Sequence, residues 1–206
     1  MEIKFNLYEP KLTKWLSMNK VVYLFGLPTF IIFIVLQTTI SIPESVNSIV
    51  VPIIFLTFYV IPVVWGIINY GKIIKQNKLL KGQLVFSENC LSIKGEKINI
   101  SEIAKLEFKL HSYYSEMSGG FNFGPNRKNG TENWLIITFK DGDFLKLQFQ
   151  RMYEHQLRSI KPFLINMYKN NKINLIHTTE LLGIDGYEDI KEFKEEIKPS
   201  STIPKT

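Results

Sequence analysis

Apolar and polar residues are sorted into blocks along this chain. Residues 21–42 read VVYLFGLPTFIIFIVLQTTISI and residues 49–70 read IVVPIIFLTFYVIPVVWGIINY, and neither block holds a charged side chain. As helices they extend about 33 Å each, enough to cross a hydrocarbon layer of about 30 Å. Buried helices of soluble domains are shorter and carry a polar face, so the pattern predicts two transmembrane helices joined as a hairpin. Pro28, Pro52 and Pro62 fall inside them and predict bends, because neighbouring groups re-satisfy the freed carbonyls. The first block is longer than a signal-peptide core and a second follows it, which argues against a cleaved signal.

Before the hairpin, residues 1–20 read as a cytoplasmic or interfacial segment. Pro10 opens a short surface helix with Leu12, Trp15 and Leu16 on one face, or the stretch is a disordered leader. Trp15, and Trp65 near the end of the second span, are the expected headgroup-level anchors.

From residue 82 the period changes to two. QLVF (83–86), CLSIK (90–94), KINI (97–100) and IAKLEFKL (103–110) are short alternating runs parted by turn residues, which predicts an antiparallel sheet. In the last of these, Ala104, Leu106, Phe108 and Leu110 form the dry face. A loop rich in Gly and Asn follows over 115–133. WLIITFK (134–140) and DFLKLQF (143–149) then flank Asp141-Gly142, a pair suited to a tight hairpin turn. Residues 151–169 have helical spacing, with Pro162 expected to kink or divide them. Residues 186–197 predict a second, acidic helix with Ile190, Phe193 and Ile197 on one side, and 198–206 a frayed end. No internal repeat is present.

Charge then orients the hairpin. Lys4, Lys11, Lys14 and Lys20 precede it and Lys72, Lys75, Lys78 and Lys81 follow it, whereas the connection PESVNS (43–48) has no basic residue. Lysine and arginine concentrate on the cytoplasmic flanks of spans, so both ends are expected inside, at the inner membrane of the cell. The net charge of +6 suits an anionic leaflet and does not call for nucleic acid. A single cysteine, Cys90, excludes an intramolecular disulfide.

Catalytic patterns are hard to find. His111, His155 and His177 lack the spacing of a zinc site, and Cys90 has no histidine near it in sequence to activate it. GGFNFGPNRKNG (119–130) sets glycines beside Arg127 and Lys128, which suits a phosphate cradle. Its spacing fits no phosphate-binding fingerprint, however, and a strand follows it where a helix start is needed. A hairpin loop is the better reading, with Phe121 and Phe123 free to enter lipid or a partner. The sequence calls for no metal and no cofactor.

Strands followed by a helix just after a membrane anchor, with the fragments GQLVFSENCLSIKGEKINISEI and LIITFKDGDFLKLQF, resemble the bacterial pleckstrin-homology-like domains. More narrowly, the chain resembles small bacterial proteins that join a two-span hairpin to such a domain. That likeness implies a membrane α-helical hairpin plus an α+β soluble domain, a partly open antiparallel β-barrel capped by a C-terminal helix over 82–170. A basic linker (71–81) precedes it and an acidic helical tail (171–206) follows. The implied role is non-enzymatic: holding the domain at the lipid bilayer for a protein partner or a second copy. The alternative is a sensor of anionic headgroups that uses Lys72, Lys75, Lys78, Lys81, Arg127 and Lys128. The turn Ser87-Glu88-Asn89 is short and acidic, which departs from inositol-lipid binding in the family.

Overall fold

The computed structural model describes residues 2–10, 20, 22–39, 43–74, 78–118 and 125–198. They divide into two compact units. One comprises residues 1–10, 78–114 and 130–206, the other 11–77 and 115–129.

The helical unit contains α1 (Val22–Thr39) and α2 (Glu44–Asn69), both long and apolar enough to cross a membrane and both almost entirely unburied. Side chains such as Ile32, Ile53 and Ile67 are more than half exposed, a surface that water would penalise and lipid would not. Each helix widens to a π-type turn before a proline, at Val22–Gly26 ahead of Pro28 and at Leu56–Val60 ahead of Pro62. A proline ring donates no hydrogen bond and collides with the carbonyl four residues back, and a wider turn makes room for it. The chain therefore continues through both prolines without breaking. The helices meet where Gly26 leaves space for Phe58 and where Phe30 and Tyr59 stand edge to face, 5.8 Å apart. A Cβ on Gly26 would lie 3.0 Å from the Phe58 ring.

The second unit is an antiparallel sheet with helices after its last strand. Its strands are β1 (Ile3–Pro10), β2 (Lys78–Phe86), β3 (Cys90–Ile93), β4 (Glu96–Asn99), β5 (Ile103–Lys109), β8 (Asn133–Phe139) and β9 (Phe144–Phe149), in the order β4-β3-β2-β1-β9-β8-β5. A separate pair, β6 (Tyr114–Met117) with β7 (Arg127–Asn129), lies in the 115–133 segment. Residues 3–10, expected in an interfacial leader, form the central strand. β1 joins the β2-β3-β4 meander on one side to the β9-β8-β5 meander on the other. The proposed surface helix around Trp15 lies outside the described residues.

The sheet curls. Phe86 on β2 and Phe108 on β5 stand four strand positions apart, about 19 Å in a flat sheet, yet their ring centroids are 6.1 Å from each other. Phe5 touches both Phe86 (5.5 Å) and Phe149 (5.6 Å) edge to face, and Phe163 closes on Phe86 at 5.0 Å. This aromatic centre sits among buried Leu84, Leu91, Leu106, Leu135 and Ile137.

After β9 the predicted helix is split, a 3-10 turn at Gln156–Ile160 running into α3 (Lys161–Lys169) with Pro162 in its first turn. There the missing N–H costs nothing. Two more helices follow, α4 (Leu175–Leu182), capped by Asn174 and ended by left-handed Gly183, and α5 (Tyr187–Ile197). Their Leu181, Leu182, Phe193 and Ile197 belong to the core cluster, and Lys161 of α3 lies against Phe193 and Glu196 of α5. The β8–β9 connection is one residue longer than a two-residue turn. Phe139 N–H donates to Asp143 O (2.8 Å) and Gly142 N–H to Phe139 O (3.1 Å), with Gly142 left-handed at φ 97°. Three residues ending in a left-handed glycine are the next commonest hairpin solution.

Candidate functional site

The segment that leaves α2 is not a free linker. Gly71 N–H donates to Asn126 Oδ1 at 2.8 Å, Arg127 N–H to Lys72 O at 3.1 Å, and Ile74 N–H to Arg127 O at 2.7 Å. A parallel bridge links Ile73 to Arg127. The 115–129 segment therefore clamps the chain directly after the second apolar helix, and both belong to the same unit. Asn126 is buried and Asn69, the last residue of α2, bonds Trp65 O (2.8 Å) and accepts from Lys72 Nζ (3.2 Å).

This clamp brings together three of the six basic residues singled out from the sequence. Lys72 is exposed. Arg127 is half-buried and gives Nη1 to Ser115 Oγ (2.8 Å), while Lys128 pairs with Glu116 at 3.0 Å. Lys81 belongs to the sheet unit, where it pairs with Glu9 at 3.0 Å. Lys78 begins β2, its side chain outside the described set, as is all of Lys75. Trp65 is about half exposed on α2. Trp15, Phe121 and Phe123 lie outside the described residues.

Gly130, in the glycine-rich stretch that reads better as a hairpin loop than as a phosphate cradle, sits at a backbone crossing. At Gly130 (φ 71°) a Cβ would lie 2.2 Å from Arg151 O and 2.5 Å from Tyr114 N, a crossing of three backbone segments. Beside it, fully buried Asn133 accepts from the His111 and Ser112 amides (3.0 and 3.2 Å) and donates to Gly130 O (2.8 Å).

A groove of 910 Å³ runs along β5 and the 168–180 segment. β5 ends the sheet, but its outward amides are engaged: Leu106 N–H meets Lys172 O at 2.9 Å and Phe108 N–H meets His177 Nε2 at 3.2 Å. Nδ1 of the same ring lies 3.2 Å from Glu180 Oε2. Glu107, on the groove wall, has a carboxyl held below its ordinary value, first by the hydrogen bond from Lys105 and then by the charges of Lys105, Lys109 and His177, with burial opposing. Ile176 lines the same groove while 68% exposed.

Among the described residues no group of three His, Cys, Asp or Glu is placed to hold a metal ion. Cys90 is half-buried at the start of β3. Sequence reasoning missed Asn126 and Asn133, whose side chains serve backbone groups far away in the chain, as well as Lys94 and Lys146. The alternation of β8 and β9 already placed Lys146 on the sheet face of Trp134. Compared with known proteins, the chain matches no family model, no curated protein and no solved structure.

Proposed function

We propose that this chain is an integral membrane protein without a catalytic task. Its two-helix hairpin anchors a pleckstrin-homology-like domain at the inner face of the cell membrane, where the domain binds a protein partner or a second copy. The observation that carries the reading is the antiparallel pairing of β1 with β2. These strands lie on opposite sides of the hairpin in sequence yet hydrogen-bond throughout, so both ends of the hairpin emerge on one side. Lysines on both flanks and none in the connection support the cytoplasm as that side. The strand order, the curl around a phenylalanine centre and the helix after the last strand support the pleckstrin-homology likeness.

Partner binding is favoured over general attraction to anionic headgroups, because Arg127 and Lys128 are already engaged with Ser115 and Glu116. The groove beside β5, with Ile176 presented to solvent, is a surface fit for a protein. A photo-reactive residue at position 176 of the full chain in native membranes tests this. One discrete adduct, with itself or with a single other protein, is expected; uncrosslinked monomer alone refutes partner binding through this surface.

A further inference from the structure

At the edge of the sheet, one histidine stands in for a backbone acceptor. β5 ends the sheet, so its alternate amides point away from β8 and need partners elsewhere. Two of them, two residues apart, are taken up differently. Leu106 N–H donates to a carbonyl, Lys172 O, at 2.9 Å, whereas Phe108 N–H donates to a side chain, His177 Nε2, at 3.2 Å. A carbonyl accepts at any pH. An imidazole nitrogen accepts only while it carries no proton.

The local sequence holds His177 in place. Left-handed Asn171 (φ 59°) turns the chain after α3, Lys172 N–H returns to Met167 O at 2.9 Å, and Ile173 is buried in the core. Asn174 then caps α4 by accepting from the His177 amide at 2.7 Å, and His177 is the third residue of that helix. One turn further on, Glu180 Oε2 lies 3.2 Å from Nδ1. The imidazole therefore sits between an amide that requires a bare nitrogen and a carboxylate that favours a charged ring. Its side chain is 26% exposed and lines the groove, so water reaches it.

Charging the ring sets these partners against each other. With hydrogen on both nitrogens, Nε2–H and Phe108 N–H become two donors aimed at one another, and that bond is lost. Nδ1–H gains a charge-assisted bond to Glu180. A positive charge in the first turn of α4 also opposes the helix dipole. Around the ring, Glu107 on β5 favours the proton, while Lys105 and Lys109 on β5 and Lys172 in the connection oppose it. Tyr168 of α3 completes the ionisable lining.

We propose that His177 is a pH-operated latch. Neutral, it holds the start of α4 on the edge of β5; protonated, it releases Phe108 and turns to Glu180. The bond from Leu106 to Lys172 and the burial of Ile173 involve no titrating group, so the change is confined to the first turn of α4. Ile176, exposed on that turn, moves with it. The consequence for a partner at Ile176 rests on the function proposed above, whereas the latch itself does not.

The test is amide hydrogen exchange of the full chain in detergent at about pH 7.5 and about pH 5.5, a range in which imidazoles titrate. Protection is corrected for the intrinsic pH dependence of exchange, and NMR follows the His177 ring in the same sample. As the ring charges, protection of the Phe108 amide is expected to fall at least about fivefold while that of Leu106 holds. His177→Gln, whose side-chain carbonyl accepts at any pH, is expected to abolish the step. Steady Phe108 protection beside a charged ring, a ring still neutral at the lower pH, or parallel loss at Leu106 overturns the latch. So does a step that survives in His177→Gln. Should that variant not fold, the contrast between Phe108 and Leu106 in the native chain decides. Absence of any photo-adduct at position 176 at either pH would remove the partner reading and leave the exchange result standing.

Discussion

Pro10 and Lys78 are paired residues at the adjoining ends of β1 and β2, although the whole helical hairpin lies between them in the chain. A strand pair cannot form across a bilayer, so on the proposed membrane reading this register supports both ends of the hairpin lying in one compartment, the cytoplasm. The expected outcome is asymmetric thiol reactivity. In a Cys90→Ser background, Ser45→Cys, exposed in the first turn of α2, reacts with an impermeant maleimide applied to intact cells. Cys90 of the native chain reacts only after permeabilisation. Labelling of Cys90 from outside intact cells would reverse the orientation.

The same relationship makes β1 a structural keystone. Phe5 is 2% exposed and its ring meets both Phe86 and Phe149 edge to face. Phe5→Ala removes those contacts and leaves a void at the point where the two meanders meet. A loss of about 3–5 kcal/mol is expected, read as a lowered unfolding midpoint of the sheet domain in detergent. Lys4→Ala, on the exposed side of the same strand, is expected to change stability by less than about 0.5 kcal/mol.

Much of this architecture was legible, and the misses share one cause. Periodicity reports which face of a segment is dry, not what covers it. IKFNLYEP alternates plainly, with Ile3, Phe5 and Leu7 apolar, but its partners β2 and β9 both follow the hairpin, and a strand without a visible neighbour reads as a leader. The stripe of Phe193 and Ile197 on α5 was readable, while its burial in the core beside α3 was not. Asn174 and Gly183, a cap at each end of α4, were local signals that went unused. The clamp between Gly71 and Asn126 was beyond sequence reasoning, since an asparagine in a glycine-rich stretch ordinarily signals only a turn. The bulge at Lys81 and the left-handed Lys94 are likewise features that alternation does not encode.

Asn133 and Gly130 form one tightly specified crossing, and their substitutions separate two mechanisms. Asn133→Ala removes the acceptor of the His111 amide and of the buried Ser112 amide, for an expected loss of about 1–3 kcal/mol. Gly130→Ala keeps every hydrogen bond available but places a Cβ against Arg151 O and Tyr114 N at a positive φ. The backbone angle alone costs about 1–3 kcal/mol, and the collision forces Tyr114 and Arg151 apart. Amide hydrogen exchange distinguishes them. Gly130→Ala is expected to expose the Tyr114 and Arg151 amides selectively, whereas Asn133→Ala exposes those of His111 and Ser112. Identical exchange patterns would contradict the assignment.

Glu107 gives the fold a small, signed pH dependence. Its carboxyl is lowered below the ordinary value, chiefly by the hydrogen bond from Lys105, with Lys109 and His177 adding positive charge and burial working against them. A carboxyl more acidic in the folded state than in the unfolded one contributes stability above its unfolded value of about 4.3. That contribution is lost as pH falls through the folded value. Because the side chain is 36% exposed, solvent and salt screen the interaction and keep the effect small. The unfolding midpoint of the native chain is therefore expected to exceed that of Glu107→Gln by a constant margin from neutrality to about pH 5. Below that the two curves should converge. A margin that widens on acidification would mean that the carboxyl is raised in the folded state, and the Lys105 contact would then not be its dominant influence.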